Sequence, residues 1–390
     1  MAKAPVIALL GGGQLGRMYI ENALRYTAEV HVLDPDPQAP CARIANRFVI
    51  GDFRDKETVL RFANDADVVG IEIEQVSVEA LEELKRQGKR VIPDPSVLRI
   101  IQDKGLQKQF YGDHGIPTSP FALIEKRTEI AAHAHLLPAF LKTRTGGYDG
   151  RGVMPIDAVS DAESAFDGPY VLEERANIAL ELAVLVARAA NGTEVAYDPV
   201  EMVFDPKLNL VDHLRAPARI PQHVADAAKR LAKRVTTAFG EPGLYAVEMF
   251  LTKDDELLVN ETAPRAHNSG HHTIEACASS QFDQLLRIHC DWPLGDAALR
   301  AKTAMINLVG EGGTGSPELI GADDVLHLPE TFIHLYGKHE TRDGRKMGHV
   351  TVLSATDLGL DQAIAVTKVH CKVKPRGNMK AEMGNMKAER

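Results

Sequence analysis

Four cysteines in 390 residues are too few for a disulfide scaffold, and Cys41, Cys277, Cys290 and Cys371 lie too far apart in sequence to pair as a zinc site. A reducing, cytoplasmic setting is expected. Long apolar runs are missing too. Val6 to Leu10 stops at three glycines, short of a signal-peptide core, and no segment approaches the roughly 20 apolar residues of a membrane span. Positive charge is also in deficit: 45 Lys plus Arg against 54 Asp plus Glu give a net charge of −9. The chain has no global attraction for a nucleic acid polymer or an anionic membrane, so any anionic partner must meet a local basic cluster. Hydrophobic residues are plentiful at 44%. At about 150 residues per domain the length predicts roughly two or three domains with sizeable cores.

The first hundred residues alternate apolar runs with helical spacing: strands at Val6 to Leu10, Glu29 to Leu33, Asp67 to Ile73 and Arg90 to Ile92, and helices at Gln14 to Tyr26, Lys56 to Ala63 and Val78 to Arg86. That is the βαβ rhythm of a parallel sheet. Asp94-Pro95-Ser96 marks a boundary before a helix from Val97 to His114. From Phe121 to Arg188 the segments read as strands of a small antiparallel subdomain, among them Pro138 to Arg144 and Tyr170 to Glu174. A helix is expected over His223 to Phe239, a strand pair over Leu244 to Leu251 and Leu257 to Glu261, and a further helix over Glu275 to Cys290. Past Pro293 a third region ends in a hairpin, Phe332 to Lys338 and Arg345 to Leu353, turning at Asp343-Gly344. The polar tail repeats Gly377 to Met383 as Gly384 to Arg390 and carries no assigned function.

Five features carry chemistry. Gly11-Gly12-Gly13-Gln14-Leu15-Gly16 follows a strand and opens a helix, with Asp34 ending the next strand. Such a loop suits a dinucleotide, but its backbone N–H groups serve any anion, or the loop is simply a tight turn. Lys142 to Gly152 interleaves four glycines with Lys142, Arg144 and Arg151, a cationic loop able to fold over a polyphosphate without being a Walker loop. Glu248 and Glu261 stand equidistant from a turn at Asp254-Asp255. They should therefore face each other across the hairpin, a like-charge pair that is destabilising unless a hard cation bridges it. The donor-rich loop Ala263 to His272 follows, with histidines at spacings that fit no zinc pattern, and the last hairpin carries Lys338, Arg345 and Lys346.

These features form one ordered set. Gly11 to Arg17, Asp34 to Pro37, Gln102 to Lys104 with Gln107-Lys108, Lys142 to Gly152, Val259 to Glu261, Ala263 to His271 and Gly344 to His349 together resemble the 5-(carboxyamino)imidazole ribonucleotide synthases, ATP-grasp ligases of purine biosynthesis. The resemblance implies an α/β and α+β architecture: a Rossmann-like domain over residues 1–95, an ATP-grasp domain over 96–293 with a lid at about 118–185, and a small C-terminal domain over 294–376, with the tail at 377–390. It implies that ATP phosphorylates bicarbonate to carboxyphosphate, which then carboxylates the amine of 5-aminoimidazole ribonucleotide, leaving ADP and phosphate. Magnesium is the implied metal, with manganese as an alternative, and a cytoplasmic homodimer the implied assembly.

The same resemblance distributes roles. Lys104, Lys142, the loop Gly147, Tyr148, Asp149, Gly150, Arg151, Gly152 and Val153, the linker Glu173, Glu174, Arg175 and Ala176, then Glu181, Asn260 and Glu261 fall on the ATP site. Glu248 and Glu261 match the metal ligands. Gln14, Glu74, Asp149, Arg151, Arg265, Ser269, Lys338, Arg345 and Lys346 fall on the ribonucleotide site, and Arg265, His267 and Asn268 on the catalytic loop. The chain departs from the family's usual pattern in having Lys104 for Arg, Phe204 for His, and Ile71-Glu72-Ile73-Glu74-Gln75 for Tyr-Glu-Phe-Glu-Asn. Rival readings are another ATP-grasp ligase, such as a formate-dependent glycinamide ribonucleotide transformylase, a nicotinamide-dependent oxidoreductase resting on the 11–16 loop, and a non-catalytic nucleotide-binding relative.

Overall fold

The computed structural model describes residues 5–146, 152–165 and 168–377. The polar tail from residue 378 and the loop positions Gly147, Tyr148, Asp149, Gly150 and Arg151 lie outside the described residues.

The N-terminal region is a five-stranded parallel sheet in the order Arg47–Ile50, Glu29–Asp34, Val6–Leu10, Val68–Ile71, Arg90–Ile92. The central strands are apolar on both faces because helices cover both, and Ile7 to Leu10 are buried. Sequence reading passed over Arg47–Ile50, a short edge strand that is exposed or half-buried throughout. The helix expected from Val97 to His114 is two helices, Pro95–Ile101 and Lys104–Asp113. Asp103 separates them, its carboxylate accepting the N–H groups of Gly105 and Leu106 as an N-cap. The break places Lys104 at the start of the second helix, whose stripe Lys104, Gln107, Lys108 and Tyr111 lies on one face.

A four-stranded antiparallel sheet follows, in the order Phe121–Ile124, Tyr170–Glu174, Ala139–Thr143, Val153–Ile156. Its own small core gathers Ile124, Leu141, Ile156 and Leu172. The strand Ile178–Arg188 does not belong to it. That strand sits inside a large antiparallel sheet running Leu257–Ala263, Gly243–Thr252, Ile178–Arg188, Val200–Asp205, Leu210–Ala216, Lys302–Val309, Lys346–Ser354, Thr331–Leu335. The sheet runs straight past Pro293, so the third region extends the central one edge to edge through the pairing of His213 to Ala216 with Ile306 to Thr303. The helix Gln222–Phe239 buries Val224, Ala228, Leu231 and Val235 against Val184, Tyr245 and Val247, each large side chain contributing about 1.5–3 kcal/mol by leaving water. The helix expected over Glu275 to Cys290 is likewise divided, into Thr273–Ala276 and Gln281–His289 with Ser280 as N-cap. The last hairpin pairs His334 with His349, so Asp343-Gly344 is one turn within a longer connection rather than the whole of it.

Candidate active site

The glycine loop is an anion site already filled by the protein itself. Asp34 accepts the Gly12 N–H at 2.7 Å and the Asp36 N–H at 2.8 Å. Glu72, at the end of the strand Val68–Ile71, accepts the Leu15 N–H at 3.0 Å at the start of the helix Gln14–Ala23. A Cβ on Gly13 would meet Glu72 Oε1 at 2.5 Å, so glycine is needed there for the carboxyl to approach. Two internal carboxyls therefore stand where a dinucleotide pyrophosphate would bind, which removes the basis of the nicotinamide reading. Burial pushes the Glu72 carboxyl up to about 7 against the pull of Arg265.

The strand pair Gly243–Thr252 and Leu257–Ala263 sets Glu248 directly opposite Glu261. The route differs from the expected one. Met249, Phe250 and Leu251 face Val259, Leu258 and Leu257, a register centred on Asp254 that would set Glu248 against Asn260. A bulge at that point slips the register by one residue, brings Glu261 opposite Glu248 and lets Asn260 Oδ1 meet Lys142 Nζ at 3.2 Å. The two carboxyls have opposite surroundings. Burial and then the Glu261 charge push Glu248 up, whereas Lys104, 3.0 Å from Glu261 Oε2, holds Glu261 down. The donor set fits a hard cation. Among the described residues no third His, Cys, Asp or Glu joins a metal-holding group here, and Mg²⁺ commonly uses one or two carboxylates and completes its shell with phosphate oxygens and water.

Beside this pair lies a cavity lined by Lys104, Gln107, Lys108, Lys142, Val171, Glu173, Asn260 and Glu261. Lys142, on the strand Ala139–Thr143, lies 2.9 Å from Glu173 Oε2. Lys108 donates to Glu173 Oε1 at 2.9 Å and to Thr118 Oγ1 at 2.6 Å. Burial pulls Lys108 down to about 8, so it is still cationic at neutral pH. Burial also works to raise Glu173, but the two ammonium groups outweigh it and hold the carboxylate ionised. Gln107 Oε1 accepts from the Thr262 N–H at 3.1 Å and the Tyr111 hydroxyl at 3.0 Å, fastening this helix to the hairpin. Glu181 stands half-buried on the neighbouring strand, pushed up to about 6 by burial. Glu174 and Arg175 use their N–H groups on the carbonyls of Pro120 and Pro138, which fixes the linker that continues through Ala176. Gly152, at φ +75° with Thr143 Oγ1 2.4 Å from where its Cβ would be, admits no side chain, and Val153 pairs with Lys142.

A second cluster forms where all three regions meet. Arg265 of the donor loop pairs with Glu74 of the N-terminal region at 2.7 Å. Gln102 donates to the carbonyls of Glu74 and Val76 and holds that segment. His267 Nε2 lies 3.6 Å from Glu248 Oε1, while its Nδ1 receives the Ser269 N–H at 3.3 Å and lies 2.9 Å from Ser269 Oγ. The proton is thereby assigned to Nε2. Burial, then Arg265 and Lys346, pull this imidazole down to about 3, so it is neutral. Asn268 exchanges amide hydrogen bonds with Asn307. Lys338 donates to the Lys346 carbonyl at 2.7 Å, and Arg345 to the Glu340 carbonyl at 2.7 Å. Lys346 acts electrostatically on Glu248 and His267, and Lys338 on Glu72, so these two lysines of the last hairpin lie toward the carboxyl cluster, whereas the contact of Arg345 is within its own hairpin. Gln14 opens the glycine-loop helix on the N-terminal side. Phe204 packs in an apolar cluster with Met202 and Val211.

Sequence reasoning missed Lys108 and Glu72 as members of the site. The spacing of Lys104, Gln107, Lys108 and Tyr111 behind an Asp N-cap is the signal that marks the first. Nothing local marks the second, whose partner Leu15 is 57 positions away.

Comparisons with known proteins agree along the chain. Residues 4–102 match a ribonucleotide synthetase preATP-grasp domain, 109–282 an ATP-grasp domain and 303–363 a phosphoribosylaminoimidazole carboxylase C-terminal domain. The chain is 36% identical to an N5-carboxyaminoimidazole ribonucleotide synthase of Bacillus subtilis over 355 residues, covering 89% of this chain and 91% of that one. It is 36% identical to a phosphoribosylaminoimidazole carboxylase of Saccharomyces cerevisiae over 375 residues, covering 92% of this chain but only 65% of that longer one. Among solved structures, an N5-carboxyaminoimidazole ribonucleotide synthetase from Thermotoga maritima superposes with a TM-score of 0.89 at 38% identity, covering 95% of this chain and all of that one. An Aspergillus clavatus N5-carboxyaminoimidazole synthase in complex with ADP and 5-aminoimidazole ribonucleotide superposes at 0.85 with 34% identity, covering 94% of this chain and 100% of that one.

Proposed function

The chain belongs to the N5-carboxyaminoimidazole ribonucleotide synthase family, ATP-grasp ligases of purine biosynthesis, and from that premise we propose how its residues divide the reaction. It is an ATP-dependent ligase that acts on 5-aminoimidazole ribonucleotide. The finer assignments rest above all on one observation, the Glu248–Glu261 pair set beside a cavity lined by Lys104 and Lys142.

Lys104 and Lys142 receive the nucleotide phosphates, with Gly152 and Val153 of the lid edge above them. The linker Glu173 to Ala176 takes the adenine and Glu181 the ribose hydroxyls. Glu248 and Glu261, with Asn260 beside them, hold Mg²⁺ or Mn²⁺, which when bound neutralises phosphate charge during phosphoryl transfer. Bicarbonate is the phosphoryl acceptor and carboxyphosphate the activated carboxyl donor. No side-chain nucleophile is needed: the chain contributes charge, orientation and exclusion of water. His267, neutral with its proton on Nε2, acts as a hydrogen-bond donor to a carboxyl oxygen, and Arg265 and Asn268 orient the same group. Lys338, Arg345 and Lys346 take the ribonucleotide phosphate, with Glu74, Gln14 and Ser269 lining the rest of that pocket. Assembly as a homodimer and a cytoplasmic location belong to the same proposal. The second is supported by four unpaired cysteines. Among the described residues no helix is long and apolar enough to cross a membrane.

Phosphate release from Mg-ATP, measured with bicarbonate and 5-aminoimidazole ribonucleotide omitted in turn, tests this reading. Turnover that requires both supports it. Turnover with formate and glycinamide ribonucleotide instead overturns it, and ATP binding without phosphate release at saturating substrates points to a non-catalytic relative.

A further inference from the structure

The Lys108 ammonium is 5% exposed and the Glu173 carboxylate 2% exposed, and the two meet at 2.9 Å. Glu173 offers its other oxygen to Lys142 at the same distance, so one buried carboxylate is shared by two ammonium groups. All three side chains line the cavity assigned above to the nucleotide. Lys108 is not exposed enough to act as a solvated surface charge. It is also not isolated from the site, because Thr118, its other partner, accepts its hydrogen bond while donating to the Val259 carbonyl in the strand that carries Asn260 and Glu261.

The charge balance gives this arrangement a function. A buried carboxylate facing one lysine would bind that ammonium fully, because neither group could be solvated and the attraction is barely screened. Two lysines on one carboxylate leave one net positive charge in the cavity. Lys142, whose ammonium is also drawn to Asn260 Oδ1 at 3.2 Å, is then only partly committed to Glu173. The geometry points to Lys108 as a positioning residue of the ATP site: by holding half of the Glu173 carboxylate it leaves the Lys142 ammonium available to the nucleotide phosphates. This inference rests on the cavity being the ATP site, and adds a residue that acts through another without touching the reacting atoms.

The test uses the full-length enzyme and three variants: Lys108→Met, Glu173→Gln and Lys108→Met/Glu173→Gln. Thermal melting of each confirms that it is folded. Steady-state phosphate release then gives separate KM values for ATP and for 5-aminoimidazole ribonucleotide. Lys108→Met should raise KM for ATP by at least about tenfold, the scale of one charged hydrogen bond, while KM for the ribonucleotide stays within about twofold. The double variant, which removes the carboxylate that would capture Lys142, should recover most of the lost ATP affinity and remains informative if Lys108→Met alone does not fold. An unchanged KM for ATP in Lys108→Met, equal increases for both substrates, or a double variant no better than the single one each overturns the inference. Wild-type enzyme lacking ATP turnover in the same assay would instead count against the ATP-site reading itself, so the two failures are distinguishable.

Discussion

Replacing Glu72 by Gln separates a half-buried carboxyl's charge from its shape. In the folded protein Glu72 accepts the Leu15 N–H at 3.0 Å, and burial pushes it from an ordinary 4.5 to about 7. A carboxyl raised on folding makes the folded state bind more protons than the unfolded state between those two values. Stability must therefore fall as pH rises through that window and level off above about pH 7, with Glu72 costing ~3 kcal/mol once it is fully ionised. Glutamine keeps the oxygen that accepts from Leu15 and has no charge to desolvate. Glu72→Gln should thus lie within about 1 kcal/mol of wild type at pH 5 and gain ~3 kcal/mol relative to it by pH 8. Urea unfolding of both proteins, followed by circular dichroism at four pH values from 5 to 8, measures the difference directly. A stability difference that does not change with pH, or one that moves in favour of wild type as pH rises, would show that Glu72 does not carry a raised carboxyl in the folded protein.

Glu261→Gln removes half of the proposed metal pair, so turnover at a fixed low Mg²⁺ concentration should fall by at least about a hundredfold. Part of that loss should return as Mg²⁺ is raised in the phosphate-release assay, and an unchanged Mg²⁺ dependence would count against Glu261 as a ligand. Lys346→Ala should raise KM for 5-aminoimidazole ribonucleotide by about tenfold, the scale of one charge-assisted phosphate contact, with KM for ATP unmoved. The reverse pattern would transfer Lys346 to the nucleotide site.

The parts of the fold that are legible in the sequence are those where one period and one local signal agree. The strands Val6–Leu10 and Tyr170–Glu174 and the helix Val78–Arg86 fall where the apolar pattern predicts them. The helix division at Asp103 is missed by the period: an aspartate before Lys-Gly-Leu is an N-cap signal, but it lies inside an otherwise uninterrupted helical pattern. The Glu248–Glu261 pairing is a different lesson. Counting from the turn yields the right pair although the turn centres on Asp254, because the bulge at Asn260 makes up the difference. A bulge has no strong local signature, so the count could not have shown why it succeeds. The glycine loop shows the limit most clearly. Its composition predicts backbone donors awaiting an anion, and they are there, but the anions are Asp34 and Glu72, brought to the loop by the parallel pairing of Val6–Leu10 with the strands on either side. Which charge fills a local site is decided by tertiary contacts that periodicity does not contain.

Whether this chain uses ATP to activate bicarbonate is read from the fate of bicarbonate oxygen. With freshly dissolved bicarbonate carrying ¹⁸O at every oxygen, attack on the γ-phosphorus makes a C–O–P linkage. The amine of 5-aminoimidazole ribonucleotide then displaces phosphate from carbon, and the bridging oxygen leaves with phosphorus. Mass spectrometry of the released phosphate should therefore show one ¹⁸O per molecule. Phosphate without the label, released at the same rate and with the same dependence on ribonucleotide, would show that bicarbonate is not the phosphoryl acceptor.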